Sequence, residues 1–517
     1  MPDLIKVIKR KFFRRKDTFK DRDFLLVLVS VVLIAGLMSV FLGPWAAVAV
    51  IVGVGILLAA FLKPEAALLV LAVYTPLEPF LLKFVGDDIY IFARYFPEVL
   101  IYVLVASAAA RLIARKRKLV QTPIDLPFVF FLLVAVTSLV VNMVPPLYGL
   151  LGLRQIIRFI LLFFVLVYLD PQREFIRRFT WVMLWFVLFE GVLGLMQAIV
   201  GAPMDEFLIP SERKFYESIQ LTSGTTQFWS PGSRVFATLG RFDQLGTFLG
   251  FFFLIAAGLI YQVKDIVVKK RLFLIVMLAF PAFILTLSRA SWFGFAIGLF
   301  VIGALLMRDN RVRLAFASLA IIAVGYLAYS GLAVRYLIDY PEQTAVERFF
   351  EAFSYERWRG EYYGMGRLFW VVQTATVVVP SAPLFGVGPG QFGGGAAAAL
   401  GNAQVYQELN LPFGVYGTEG YIDNNWFSLW GETGTLGLAF YAWMFVALGL
   451  MALKVFRESK DPLARGLALG LIGCLCAVTF QAFLATYLEV RTLALYLWLY
   501  SAFVYILGRR EGLFGKR

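Results

Sequence analysis

The run FTWVMLWFVLFEGVLGLMQAIV, Phe179 to Val200, contains one carboxylate, Glu190, and no cation. As a helix rising 1.5 Å per residue it reaches about 33 Å, enough to cross a hydrocarbon core of roughly 30 Å. Similar runs recur along the 517-residue chain. The chain is 60% hydrophobic and 16% charged, with a mean hydropathy of +0.78. Soluble domains carry about 45–50% apolar and about 25% charged residues, so a tandem of soluble domains is excluded. The pattern predicts an all-α polytopic membrane protein.

Spanning helices are expected at 24–42, 45–62, 66–82, 96–114, 124–143, 150–169, 179–200, 239–263, 272–287, 291–307, 314–331, 425–453, 463–484 and 492–507, about 14 in all. A basic segment at 1–23 precedes them, without a cleavage site at the distance a signal peptide needs. The net charge of +14 could suggest nucleic acid. Its Lys and Arg fall in short clusters between apolar runs, as the positive-inside rule requires, so no nucleic-acid partner is expected. With both termini cytoplasmic, about 33 of them lie on the inner side and about 15 on the outer. This division gives a cytoplasmic N-terminus (1–23), helices 1–11 (24–331), an outer loop near 201–237, a large extracytoplasmic loop (332–422), helices 12–14 (423–507) and a cytoplasmic tail (508–517). The long loop carries Phe349, Phe350, Tyr355, Trp358, Tyr362 and Tyr363, then a glycine-rich run from Gly386 to Gly395. It reads as a partly helical cap.

Chemistry is expected at the outer end of the bundle. The chain lacks histidine altogether, so neither the commonest general base nor the commonest metal ligand is present. No metal cluster and no cofactor motif is visible. The glycines of 386–395 precede no Gly-Lys-Ser/Thr and follow no strand, so they suit a tight turn better than a phosphate loop. Cys474 and Cys476 lie in one apolar run and read as packing residues.

Arg289, in Thr286-Leu287-Ser288-Arg289-Ala290-Ser291-Trp292, lies between two apolar helices, where an unpaired guanidinium is costly. It could snorkel to headgroups or hold a phosphate. Arg234 and Arg241 bracket the start of the helix expected at 239–263, and a pairing of Arg234 with Arg289 is the favoured anion site. Arg154 and Arg158, four apart, share a helix face. Asp423 heads the run Asp423-Asn424-Asn425-Trp426-Phe427 ahead of Glu432 and Gly434. It could cap a helix, or take a proton from a sugar hydroxyl. Glu190 and Gln197, seven apart, are buried polar groups with either a structural or a sugar-contacting role.

Three of these stretches resemble the O-antigen ligase and O-antigen polymerase superfamily of membrane glycosyltransferases. Thr286–Trp292 is similar to its Ser-Arg-Gly/Ala motif. Arg367 to Phe392 is similar to its Arg…Trp…Pro-Leu-x-Gly-x-Gly-x-x-x-Phe signature, with Trp370 one residue nearer. Asp423 to Gly434 is similar to its His-Asn-x-Tyr-Leu…Glu-x-Gly motif, with Asp423 where ligases carry histidine. The resemblance implies a GT-C-type fold in a bacterial cytoplasmic membrane and a site facing the exterior. Its substrate would be an oligosaccharide on undecaprenyl pyrophosphate, and membrane lipids, a flippase and a chain-length regulator would be its partners. By the same resemblance Arg234, Arg289 and Arg367 would stabilise the leaving diphosphate, and Asp423 would act on the acceptor hydroxyl. Arg154, Arg158, Arg241, Asn424 and Glu432 would bind substrate. The departure at Asp423 and the surplus of helices lean toward a polymerase. A ligase, or a flippase or transporter, would use a similar bundle.

Overall fold

The computed structural model describes residues 53, 55–114, 119–211, 214–216, 219–222, 234–329, 345–352 and 355–514. The chain divides into two compact units, one of residues 1–68 and 99–119 and one of residues 69–98 and 120–517. In the first, Ser107 Oγ donates to Phe61 O at 2.7 Å and Arg111 Nη2 to Leu62 O at 3.0 Å, tying its helical segments together.

Among the described residues eight helices are long and apolar enough to cross a membrane, or nine if one bent pair counts as a span. The expected fourteen are therefore not reached there. The span expected at 24–42 and half of that expected at 45–62 lie outside the described residues. Asp125–Val141 is helical but short, while Ile266–Leu285 and Asn310–Tyr329 are full-length helices outside the eight. Three basic residues near its start, Lys269, Lys270 and Arg271, account for Ile266–Leu285. The expected span at 150–169 is two helices, Pro146–Ile157 and Ile160–Leu169, bent by 55° beside Arg158. A two-stranded antiparallel hairpin, Lys214–Tyr216 with Ile219–Thr222, adds a little sheet to an otherwise helical chain.

The larger unit packs around the helices Phe242–Gln262, Pro462–Gln481 and Arg491–Arg510, of which the last is 94% buried. Small residues let the first two touch. A Cβ built on Gly258 would lie 2.4 Å from both Gly466 O and Gly470 N, the close approach that drives helix association where lipid replaces water. Cys474 sits in this core, its thiol donating to Phe251 O at 3.3 Å. Phe248, Phe252, Tyr496 and Tyr500 interlock edge-to-face beside it.

The helix Asn425–Glu458 is broken at Gly434, whose φ of 67° and ψ of −173° are far from helical. The glycine-rich segment closes the break. Val387 N donates to Gly431 O (2.9 Å) and Gly388 N to Glu432 O (3.0 Å), while Thr435 N donates to Pro383 O (3.0 Å). Backbone groups freed inside an apolar bundle need such partners. The segment thus serves the helix backbone. Above it Trp370, Phe392, Tyr406, Val415 and Ile422 form a separate apolar core for the partly helical segment 355–422.

Candidate functional site

A cavity of about 370 Å³ opens among the helix ends of the larger unit. Apolar helices deliver charged side chains to it from widely separated parts of the chain. At one end Glu78 accepts from Arg94 Nη1 at 2.6 Å and from Arg491 Nη1 at 2.6 and 2.8 Å. Beside it Glu98 pairs with Arg158 at 2.6 Å, Arg154 at 3.0 Å and Arg491 at 3.1 Å. Four guanidiniums thus face the carboxylates of Glu78 and Glu98, and Arg154 Nε and Arg158 Nε are buried without a hydrogen-bond partner among the described residues. Buried donors left over beside surplus positive charge favour an anion with several acceptor oxygens. The helix break positions them, since Arg158 stands at the bend between Pro146–Ile157 and Ile160–Leu169.

The other end carries Asp423. Its φ of 50° places it in the left-handed region, outside the helix. The cap, one of the two roles open to it from sequence, is supplied by Asn424, whose side chain accepts from Phe427 N at 3.2 Å. Released from capping, the Asp423 carboxylate pairs with Arg367 Nη2 at 3.1 Å. Arg241 holds Asp243 through two bonds of 3.0 and 3.1 Å. Burial alone would lower the pKa of both arginines. The carboxylates Asp243 for Arg241, and Asp423 and Glu361 for Arg367, outweigh it and raise both. Both therefore stay charged. Tyr421 and Tyr487 face the same group, their phenols pushed up by burial first and then by Asp423 and Asp243 respectively. They remain neutral donors.

Glu489 joins the two ends. Its Oε2 accepts from Gly395 N at 2.8 Å and from Gln155 Nε2 at 3.2 Å, and its backbone carbonyl from Arg158 Nη2 at 3.0 Å. Burial raises its pKa, against the pull of the Gly395 N–H, Gln155 and Arg158.

Of the residues singled out from sequence, Arg154, Arg158, Arg241 and Asp423 line the cavity, and Arg367 reaches it through Asp423. Arg234 and Arg289 do not line it, and their engagements differ. The Arg234 guanidinium lies 4.2 Å from the Phe242 ring centroid. Arg289 Nη1 is 3.3 Å from Glu351, a fully buried carboxylate that Arg348 also meets at 2.8 Å. Asn424 and Glu432 are buried behind the cavity, where Glu432 Oε1 accepts from Gly390 N at 2.9 Å and so anchors the glycine-rich turn. Glu190 accepts from Thr238 Oγ1 at 2.5 Å. Gln197 accepts from Phe236 N and Ala237 N, each at 2.9 Å, which makes both structural.

The sequence reading passed over Glu78, Arg94, Glu98, Glu489 and Arg491. Each is an ionisable group in or beside an apolar run, which was the available signal.

The fold and cavity define a multi-pass membrane protein with a charged, partly buried site. Residues 273–442, about a third of the chain, match the O-antigen ligase family, which supports the O-antigen ligase and polymerase superfamily for this protein. The matched stretch includes Arg289, Arg367, Asp423, Asn424 and Glu432. No curated protein matches the chain.

Proposed function

We propose that this protein is a membrane glycosyltransferase that polymerises oligosaccharide repeat units carried on undecaprenyl pyrophosphate at the outer face of the cytoplasmic membrane. The observation that carries the reading is the cavity with surplus guanidinium donors at one end and the Asp423–Arg367 pair at the other.

The donor's diphosphate would sit against Arg154 and Arg158, with Arg94 and Arg491 behind them. A hydroxyl oxygen of a second lipid-linked unit attacks the donor's anomeric carbon. The bond from that carbon to the phosphate oxygen breaks, and undecaprenyl pyrophosphate leaves with the electron pair. Asp423 receives the hydroxyl proton, oriented by Arg367. Fixed cations near the leaving group act where charge develops, and losing one such donor typically costs about 10²–10³ in rate. Arginines would do here what a divalent cation does in other transferases. A flippase would deliver the substrate, and both termini would be cytoplasmic.

A ligase that moves the finished glycan to a lipid or protein acceptor is the second reading, favoured by the description of the family that residues 273–442 match. Purified protein in proteoliposomes, given undecaprenyl-pyrophosphate-linked repeat units and no other acceptor, separates the two. A product ladder that vanishes in Arg158→Ala and Asp423→Asn supports the polymerase. Transfer only after a lipid acceptor is added supports the ligase. No transfer with any acceptor overturns both and favours a lipid-linked glycan flippase.

A further inference from the structure

The Arg173–Val200 and Ile266–Leu285 helices pack side by side and run parallel. Gly191 lies against Ala279, where an added Cβ would come within 2.4 Å, and Gly194 lies against Ala282. Nearer the starts of both helices, below this contact, lies a groove of about 580 Å³. It is lined by Arg177, Arg178, Trp181, Val182 and Trp185 of the first helix and by Val268 and Arg271 of the second. Arg177, Trp181 and Trp185 recur every four residues and therefore share one face.

Neither indole N–H has a hydrogen-bond partner among the described residues, and Trp185 is 54% exposed. Among the described residues one carboxylate answers two of the three arginines: Glu174 pairs with Arg177 at 2.9 Å and with Arg178 at 3.0 Å. These pairs are solvent-exposed, so they hold weakly and can yield to another anion. Arg177 and Arg178 therefore stand at the groove mouth, with Arg271 and the indole donors about a turn further along the helices. Tryptophan belongs at the level where headgroups meet acyl chains.

The groove also lies at the far end of a span from the candidate site. Gln197, on the same helix as Arg178, holds the segment that leads to Leu239 and Gly240 at the cavity wall. Nineteen residues of helix separate Arg178 from Gln197, about 28 Å at 1.5 Å per residue.

We infer that this groove is a binding site for an anionic phospholipid of the leaflet opposite the candidate site. Its phosphodiester would be held by Arg177, Arg178 and Arg271, its glycerol esters by the Trp181 and Trp185 indoles, and one acyl chain would run past Val182 and Trp185 toward the middle of the span. The assignment is independent of the reaction proposed above.

The test is native mass spectrometry of the full-length protein, released from detergent micelles containing equal amounts of phosphatidylglycerol and phosphatidylcholine. The native chain should retain phosphatidylglycerol selectively. The triple variant Arg177→Gln/Arg178→Gln/Arg271→Gln should lose that adduct by at least about tenfold, since each basic residue at a membrane surface contributes appreciably. Trp185→Ala, which keeps every charge, should weaken it as well, and it serves as the readout if the triple variant does not fold. Lys264→Gln/Lys269→Gln/Lys270→Gln removes the same charge outside the groove and should leave the adduct in place. Equal loss in that control would reduce the site to a diffuse basic surface and overturn the proposal. Equal retention of both lipids would overturn it too, as would displacement by soluble glycerol phosphate at matched concentration, which would mean an ion site without a lipid.

Discussion

Because Asn424 accepts the Phe427 N–H, the carboxylate of Asp423 is left to pair with Arg367, and the two neighbours can be separated by substitution. Asn424→Ala removes a buried cap and should cost about 1 kcal/mol of stability, read as a lowered thermal midpoint. Asp423→Asn keeps the side chain's shape and an oxygen that Arg367 can still reach, removing only the charge of a pair whose side chains are 35% and 23% exposed, so the midpoint should move less than in Asn424→Ala while transfer falls by orders of magnitude. Equal effects of the two variants on stability would return Asp423 to a structural role. The cap that the sequence allowed at Asp423 falls on Asn424 for a physical reason. Motif order and residue type singled out Asp423, but which of two adjacent polar residues caps a helix depends on backbone dihedrals. The left-handed φ of Asp423 decides it, and composition does not encode that. The same limit applies to Arg289. Its position before an apolar helix was legible, whereas its partner Glu351 comes from a segment 62 positions later.

At the scale of elements, the glycine-rich segment and the long helix it meets form one device. Gly386 and Gly434 both have positive φ, and each fills space that a side chain would need. A Cβ on Gly386 would lie 2.4 Å from Gly434 N, and one on Gly434 would lie 2.3 Å from Leu384 O. Alanine at either position should therefore cost well over 1 kcal/mol, through strain and the loss of the hydrogen bonds across the break. Gly449, farther along the same helix, has nothing among the described residues within 4 Å of an added Cβ. Gly449→Ala should be neutral or slightly stabilising, by up to about 1 kcal/mol of helix propensity. Thermal unfolding of the three variants in detergent checks the contrast, and equal losses would discard it. Helix positions in this region were readable from hydropathy, with 291–307, 463–484 and 492–507 each within a few residues of an observed span. The break was not readable, because a glycine within an apolar run signals a kink only when another segment arrives to bond its exposed backbone. The bend at Arg158 was hidden in the same way, since the run through it is as apolar as a straight span.

Across the larger unit, alternating charges run from the start of the Arg289–Leu299 helix to the cavity. Glu351 pairs with Arg289 and Arg357, Arg357 with Glu361, and Glu361 accepts the Arg367 N–H at 2.9 Å. Arg367 then meets Asp423. The short helices Ala345–Glu351 and Tyr355–Tyr363 supply the middle links, so Glu361 couples them to the candidate site. Burial alone would raise its pKa, but Arg367 and Arg357, the Arg367 N–H and Arg289 together lower it. A carboxylate lowered in the folded state stabilises above its unfolded value, near 4.3, and that contribution is lost as pH falls through the folded value. Glu489 works in the opposite sense. Its pKa is raised, so its contribution is full below the unfolded value and is lost as pH rises through the folded one. A global melting temperature would mix the two, whereas local hydrogen exchange separates them. Amides of residues 345–363 should exchange faster at pH 4 than at pH 7 once the intrinsic rate change is removed. Glu361→Gln should show the faster exchange already at pH 7 and little further change on acidification. If protection in this segment is the same at both pH values in the native chain, the ion-pair series does not hold these helices, and Arg367 must be oriented toward Asp423 by packing alone.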